Sequence, residues 1–147
     1  MQLGQHFTLE ELIFSELASR QGYDNTPSDE AVTNLKRLVA QILEPMRVIV
    51  GPIHINSGYR SPEVNAAIGG AVNSAHMEGR AADCTPMIGN VQGAFELMKS
   101  SNLPYDQLIF ECNAWIHVSV PPLGQISRKQ VLLASGSPGH WSYQEVV

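Results

Sequence analysis

The sequence predicts an α+β fold in which N-terminal helices pack on a mainly antiparallel sheet. The first observation is that apolar residues recur at helical spacing through the first 50 positions. The second is a change of pattern after residues 51–52, from where short strand-like stretches are separated by glycine and proline. The third is a hairpin signal, in which residues 107–111 and 115–119 flank a three-residue connection. Helices gathered before such strands are typical of α+β proteins.

Two helices are predicted before residue 50. The first begins at Thr8, which forms a T-x-x-E capping box with Glu11, and it ends at Gly22. The second covers residues 26–43, because a proline and acidic residues suit its first turn. We expect Pro45 to end or kink this second helix.

Strands and shorter helices follow in the second part of the chain. The expected elements are a strand at 53–57, a helix at 61–68, a strand at 80–85, a helix at 90–99, the hairpin strands at 107–111 and 115–119, and a last strand at 130–133. A tail rich in glycine, serine and proline follows that strand. No repeat, low-complexity tract or linker interrupts the chain, so we expect a single domain over residues 1–147.

Composition and charge exclude several classes of protein. The 147 residues carry 9 Lys plus Arg against 14 Asp plus Glu, and a formal net charge of −5 leaves no basic stripe for nucleic acid or an anionic membrane. No apolar run approaches the ~20 residues of a bilayer span, and the N-terminus lacks the pattern of a secretory signal. Cys84 and Cys112 lack the spacing of a redox or zinc-knuckle motif. We therefore expect a monomer made in the cytoplasm, without nucleic-acid or membrane partners.

The most informative residues are His76, Asp83 and His117. Two imidazoles and a carboxylate form a three-ligand set, and catalytic zinc typically uses three such ligands and leaves a fourth position for water. Gly79 lies between His76 and Asp83, where it supplies a turn that brings them together. Each residue also has an ordinary explanation, His117 as a sheet residue and Asp83 as the start of a turn. Spacing alone therefore gives a metal-site hypothesis and no more.

Three motifs, in a fixed order, resemble those of a known family. They are Ser57-Gly58-Tyr59-Arg60-Ser61 followed by Asn65, then Ser74-x-His76-x-x-Gly79-x-Ala81-x-Asp83, then Trp115-Ile116-His117-Val118-Ser119. Together they resemble the zinc D-alanyl-D-alanine peptidases, a family of D,D-carboxypeptidases, D,D-dipeptidases and phage endolysins that shares its fold with the Hedgehog signalling domain. The resemblance covers residues 6–120, and the segments at 6–12 and 24–27 look like the small phage-associated branch.

The resemblance implies that the two histidines and the aspartate named above bind a single zinc ion. It also implies that Arg60 lies near the metal, where its fixed fork of donors grips a substrate carboxylate or stabilises the developing oxyanion. Ser74 is expected to hold substrate or to fix its loop, and Trp115 to form a wall of the cleft or to pack in the core. Without the resemblance, Arg60 is an ordinary surface arginine or a partner for Glu63.

The general base departs from the family pattern. The family commonly places a carboxylate three residues before the last histidine ligand, and that position here is Ala114. Glu111 is the best substitute, because a loop at residues 112–114 places it opposite Trp115 and on the same face as His117. A slip of one residue in the register would point Glu111 away, and the ordinary explanation is a solvated charge at a hairpin end.

The expected function is hydrolysis of a peptide bond in peptidoglycan stem or cross-link peptides by a zinc-activated water. The enzyme is expected to be a D,D-carboxypeptidase or an endolysin-type L,D-endopeptidase, consisting of one catalytic domain whose partner is the peptidoglycan peptide. It is expected to act on the cell wall after release, on a host cell if a phage encodes it. The absent acid at Ala114 favours an alternative, a catalytically weak zinc-containing module that binds wall peptide or a protein.

Overall fold

The computed structural model describes residues 1–146, and it confirms the α+β class. Its helices are α1 (Leu9–Ile13), α2 (Glu16–Gln21), α3 (Asp29–Leu38), α4 (Glu44–Val50), α5 (Pro62–Ala67) and α6 (Val91–Lys99). A π-helical turn (Val39–Leu43) joins α3 to α4, and a 3₁₀ helix (Ala75–Glu78) follows α5. The strands are β1 (Ile53–Ser57), β2 (Ala81–Pro86), β3 (Gln107–Glu111), β4 (Trp115–Ser119), β5 (Gln130–Ser137) and β6 (His140–Glu145).

The first helix is shorter than the sequence predicts. Thr8 caps α1 as expected, because its hydroxyl oxygen accepts a hydrogen bond from the backbone N–H of Glu11. The single helix expected up to Gly22 is wrong, since Phe14 is extended (ψ 131°) and Ser15 starts α2 as a new N-cap. Gly22 then ends α2 in the left-handed conformation, with φ 74°.

The helical path continues past Pro45, so of the two expected outcomes, an end or a kink, the end is wrong. Ser28 caps α3, and the helical path runs on through the π-helical turn to Val50. In that turn the backbone N–H of Glu44 donates to the carbonyl of Val39, one residue farther away than in an α-helix. Pro45 then occupies the first turn of α4, where its missing N–H is not required.

The six strands form one sheet in the order β1-β2-β4-β3-β5-β6. The β3–β5 pair is parallel and the other four pairs are antiparallel, so the sheet is mixed. The parallel pair arises because residues 120–129 carry the chain from β4 to the free side of β3. The predicted hairpin is present in its predicted register, with Glu111 opposite Trp115 and Ile109 opposite His117.

The glycine-, serine- and proline-rich tail forms regular structure that the sequence analysis did not assign to it. The strand expected at 130–133 continues to Ser137, and after a turn at Pro138 and Gly139 the chain returns as β6. Six residue pairs join the two strands, from Leu132 with Glu145 to Ser137 with His140. We call residues 130–145 the C-terminal hairpin.

The two faces of the sheet have different surroundings. One face packs on the helices and forms the main core, whose largest fully buried side chains include Leu12, Leu35, Leu38, Ile42, Met46, Leu108 and Ile116. Successive residues of a strand point to opposite faces, so Cys84 joins this core while its neighbour Asp83 points to the other side. Within residues 1–146 no helix combines the length and the apolar character needed to cross a bilayer.

Candidate metal centre

His76, Asp83 and His117 meet on the face of the sheet opposite the helices. Asp83 on β2 is the register partner of His117 on β4, so the two side chains lie side by side. His76 comes from the 3₁₀ helix that leads into β2. One ligand atom from each of these three residues lies within 4.8 Å of the others, and all three residues are buried. The sequence therefore named all three members of this cluster.

Local sequence explains how His76 reaches the strands. Ser74 caps the 3₁₀ helix, because its hydroxyl oxygen accepts a hydrogen bond from the backbone N–H of His76 at 3.2 Å. Gly79 ends the helix in the left-handed conformation, with φ 74°. A side chain at Gly79 would also collide with the carbonyl oxygen of Ala31, so only glycine fits this turn. The predicted role of Gly79 as the turn between His76 and Asp83 is confirmed.

The hydrogen bonding of His76 fits a bound cation. Its Nδ1 lies 2.7 Å from the carbonyl oxygen of Gly58, and since a carbonyl only accepts, Nδ1 carries the proton. A neutral His76 then presents the lone pair of Nε2 to Oδ1 of Asp83, which is 3.3 Å away. Two acceptors face each other at this distance, and a cation between them removes the repulsion. Ligands at ~2.0–2.1 Å around a tetrahedral zinc ion are themselves ~3.3 Å apart, so the donor set fits zinc.

The ionisation states also suit metal binding. Burial lowers the pKa of His76 against the attraction of Asp83, which favours the neutral imidazole that binds a metal. Burial alone would raise the pKa of Asp83, but attraction to the positive charge that His76 carries when it is protonated, and the hydrogen bond to His117, hold the pKa well below its ordinary value. The buried Asp83 is therefore an ionised carboxylate, with Oδ1 3.0 Å from Nδ1 of His117.

We call His76, Asp83 and His117 together the metal cluster. Arg60 is bound to this group of side chains and not to Glu63. Its guanidinium donates to Oδ2 of Asp83 at 3.1 Å, to Oγ of Ser57 at 3.0 Å and to Oδ1 of Asn65 at 3.1 Å. Three of its five N–H groups are thereby used. The Arg60 side chain is 12% exposed and lines the cleft described below, so the reading as a surface arginine is wrong.

The helical layer holds the loop that carries Arg60. The backbone N–H of Tyr59 donates to the carbonyl of Leu12 at the end of α1, at 2.8 Å. Gly58 packs so closely on the same Leu12 carbonyl oxygen that a side chain at this position would collide with it. Asn25 fixes the other side, since its amide donates to the Tyr59 carbonyl and accepts from the N–H of Ser61. The N-terminal helices therefore position the metal cluster as well as cover the core.

Glu111 points into the same site. It shares the cleft face with His117, as the predicted register requires, and its Oε1 lies 3.9 Å from Nδ1 of His117. Its side chain is 13% exposed, so it is not a solvated charge at a hairpin end. Burial, followed by the negative charge of Asp83, raises the pKa of Glu111, while His117 acts in the opposite direction. Ala114 lies exposed in the turn, so that position places no side chain at the metal cluster.

A cleft of about 580 Å³ opens over the metal cluster. Ser74 and Trp115 line it, as the sequence reading expected, and the indole N–H of Trp115 is buried without a hydrogen-bond partner among residues 1–146. Pro138, Trp141 and Tyr143 of the C-terminal hairpin also line it, and the sequence analysis did not single them out. The available signal was the alternation of aromatic and polar residues at 141–144, which follows a Pro-Gly pair.

Comparison with known proteins identifies the class. The model of the Peptidase M15 family matches residues 5–119, and the chain belongs to this family. The zinc D-Ala-D-Ala carboxypeptidase of Streptomyces albus G is 51% identical over 43 residues, which are 28% of this chain and 17% of that protein. The match thus spans less than a fifth of the relative's length. The His-Asp-His cluster is a donor set that fits zinc, the metal of that carboxypeptidase.

Proposed function

We propose that the protein hydrolyses a peptide bond in peptidoglycan stem or cross-link peptides, as a D,D-carboxypeptidase or an endolysin-type L,D-endopeptidase. The observation that carries the proposal is the position of Glu111, a buried carboxylate 3.9 Å from a predicted metal ligand in an open cleft. Zinc bound by His76, Asp83 and His117 would polarise the scissile carbonyl and lower the pKa of water to about 7.

The chain's own residues supply the remaining steps. Glu111 takes the proton of the attacking water, a task that its raised pKa suits because a general base works best near the operating pH. The same carboxyl group then delivers that proton to the departing amine. Two N–H groups of Arg60 have no acceptor within residues 1–146, and they are available to a substrate carboxylate or to the oxyanion.

The substrate lies between the walls of the cleft in this proposal. Trp115 supplies an apolar surface beside Glu111, and Ser74 holds the loop of His76 at the opposite side. We also propose that one zinc ion is sufficient, since the three ligands leave one position of a tetrahedron open. Action on the wall after release, including by a phage-encoded enzyme, belongs to the same proposal.

The proposal is tested by the variant Glu111→Gln. We expect a loss of about 10²–10⁴-fold in the rate of muropeptide cleavage with the zinc content unchanged, because the substitution removes a base and no ligand. Cleavage is measured by the release of new amino termini, and zinc by elemental analysis of the dialysed protein. The matched control is Ala114→Glu in the Glu111→Gln background, which should not restore turnover, because residue 114 is exposed in the turn.

Two results would change the proposal. Full activity of Glu111→Gln would show that the base is another group, while the peptidase function would remain. Zinc retention and peptidoglycan binding by the wild-type protein without any cleavage would instead support a binding module of the same fold. The observation that favours this second function is the alanine at the family's usual acid position.

A further inference from the structure

The C-terminal hairpin presents two aromatic side chains to the metal cleft. Glu111 on β3 is paired with Ala134 on β5, and Ala134 is paired in turn with Tyr143 on β6. Residues paired across strands point to the same face, so Tyr143 lies on the face of Glu111. Trp141, two residues earlier on β6, shares that face. Both aromatic residues line the cleft, although residues 130–145 lie outside the segment matched by the family model.

Small and apolar residues form the floor beneath these two side chains. Ile109, Leu132 and Ala134 make a separate buried cluster on the cleft face of the sheet. The residue opposite Trp141 is Gly136, whose φ of 114° and close contact with the carbonyl of His140 leave no room for a side chain. Beside the two aromatic residues, β5 therefore carries only Ala134 and Gly136 on the cleft face. The side chains of Trp141 and Tyr143 form the wall of the cleft at this edge.

The turn of the hairpin reaches the opposite side of the cleft. A Cβ added to Gly69, in the loop between α5 and the 3₁₀ helix, would lie 3.2 Å from Cβ of Pro138 and 3.4 Å from the backbone nitrogen of Gly139. The same loop leads to Ser74 and His76, which line the cleft on that side. The metal cluster is therefore enclosed between the loop and the hairpin, which meet at the Pro138 turn.

Trp141 and Tyr143 are uncharged, whereas the part of the cleft near the metal cluster is lined by the charged residues Asp83, Glu111 and Arg60. Trp141 is half-buried, and Tyr143 is 53% exposed. Burial, followed by the negative charge of Glu111, raises the pKa of Tyr143, which agrees with a phenol that faces the carboxylate. Partly exposed aromatic side chains in a cleft offer a large apolar surface that loses little conformational entropy on binding.

We propose that Trp141 and Tyr143 form a subsite that binds an uncharged side chain of the substrate peptide and determines substrate specificity. Two strand spacings, ~10 Å in all, separate β3 from β6, and an extended peptide advances ~3.3 Å per residue. The bound residue therefore lies within about three positions of the scissile bond. This inference rests on the proposed function, because it takes the bond to be cut beside Glu111.

The first test is steady-state kinetics of Trp141→Ala and Tyr143→Ala on stem peptides freed of glycan. We expect KM to rise about 10-fold with kcat changed less than ~3-fold, the effect of losing ground-state and transition-state binding equally. Tyr143→Phe should behave as the wild type, since it keeps the ring. The matched control is Gln144→Ala, which alters the adjacent residue on the opposite face of β6. Unchanged KM in both alanine variants, or cleavage only of glycan-linked peptides, would overturn the subsite.

A second measurement does not depend on cleavage. Both tryptophans of the chain, Trp115 and Trp141, line the cleft, so Trp115→Phe leaves Trp141 as the single fluorescent reporter. In a protein that also carries Glu111→Gln, titration with the same stem peptides should change the Trp141 emission saturably. Tyr143→Ala in that background should weaken the binding by about 10-fold.

The outcomes separate this inference from the proposed function. A wild-type protein that does not cleave the peptides, combined with a saturable Trp141 signal, would leave the subsite standing and remove the peptidase. Cleavage without any Trp141 signal at saturating peptide would do the reverse. Absence of both cleavage and signal would overturn both.

Discussion

Asp83 and Asp106 are equally buried, at 6% and 3% exposure, but their surroundings are opposite in kind. Asp106 precedes β3, and both its oxygens accept hydrogen bonds from the backbone N–H and the guanidinium of Arg128 at 2.8–3.2 Å. Asp83 is bonded to Arg60 through one oxygen and to His117 through the other, and that second oxygen also lies 3.3 Å from Nε2 of His76. One carboxylate is bonded by a single arginine, and the other lies among side chains that are candidate metal ligands.

This difference separates a structural carboxylate from a functional one. Asp106 ties the segment after β4 to the start of β3, since it also bonds through its backbone to Ser119 and Gln130. Asp83 is bonded to Arg60 and His117, two residues that line the cleft with it.

The largest expected effect comes from Asp83→Ala. We expect zinc affinity to fall by more than the ~10–100-fold that loss of an outer partner costs, because a ligand itself is removed. Peptide hydrolysis should fall to background. The measurement is competition for zinc against a chelating dye, with the cleavage assay alongside. Asp106→Ala is the matched control, and it should keep the zinc affinity of the wild type. Stoichiometric and tight binding of zinc by Asp83→Ala would contradict the distinction between the two carboxylates.

An intermediate effect is expected from replacing the arginine beside each carboxylate. Arg60→Lys should lower zinc affinity or activity by ~10–100-fold, because lysine cannot reproduce a fork that reaches three acceptors. Arg128→Lys makes the same chemical change at Asp106, and it should lower the free energy of unfolding by about 1 kcal/mol without affecting zinc. Zinc competition and urea unfolding on both variants check this pair. Equal effects of the two variants on zinc would contradict it.

The metal cluster was predictable from sequence because short-range rules fix it. A three-residue connection sets the register of β3 and β4, and the period of two then places Glu111 and His117 on one face. Gly79 and Ser74 determine the local path of the His76 loop. What spacing alone left open was whether His117 and Asp83 are metal ligands at all, and the motif order of the resemblance favoured that interpretation.

The errors occurred where distant contacts override local preference. Pro45 does not end its helix, because the preceding π-helical turn, whose Val39 is fully buried in the core, accommodates it. The end of β5 and all of β6 were missed because glycine, serine and proline disfavour strands locally. Strand β5 also pairs in parallel with β3, whose partner residues lie 23 positions earlier in the chain, as Gln107 does from Gln130. The sequence of a few neighbouring residues does not indicate such a pairing.

The smallest expected effect is on the free energy of unfolding in acid. It tests whether the ionised carboxylate of Asp106 stabilises the fold. Burial acts to raise the pKa of Asp106, but its hydrogen bonds to Arg128 outweigh it, so the folded pKa lies below the unfolded value of ~3.9. The resulting stabilisation is complete above the unfolded pKa and is lost as the pH falls through the folded pKa. Asp106→Asn should therefore lower the free energy of unfolding by about 1 kcal/mol near pH 7, and by progressively less below about pH 4. Urea unfolding across this range, with the exposed Glu96→Gln as a control, measures the difference. A difference that does not change with pH would show that the ionised carboxylate of Asp106 is not the source of the stability, and the two buried aspartates would then differ less than their contacts indicate.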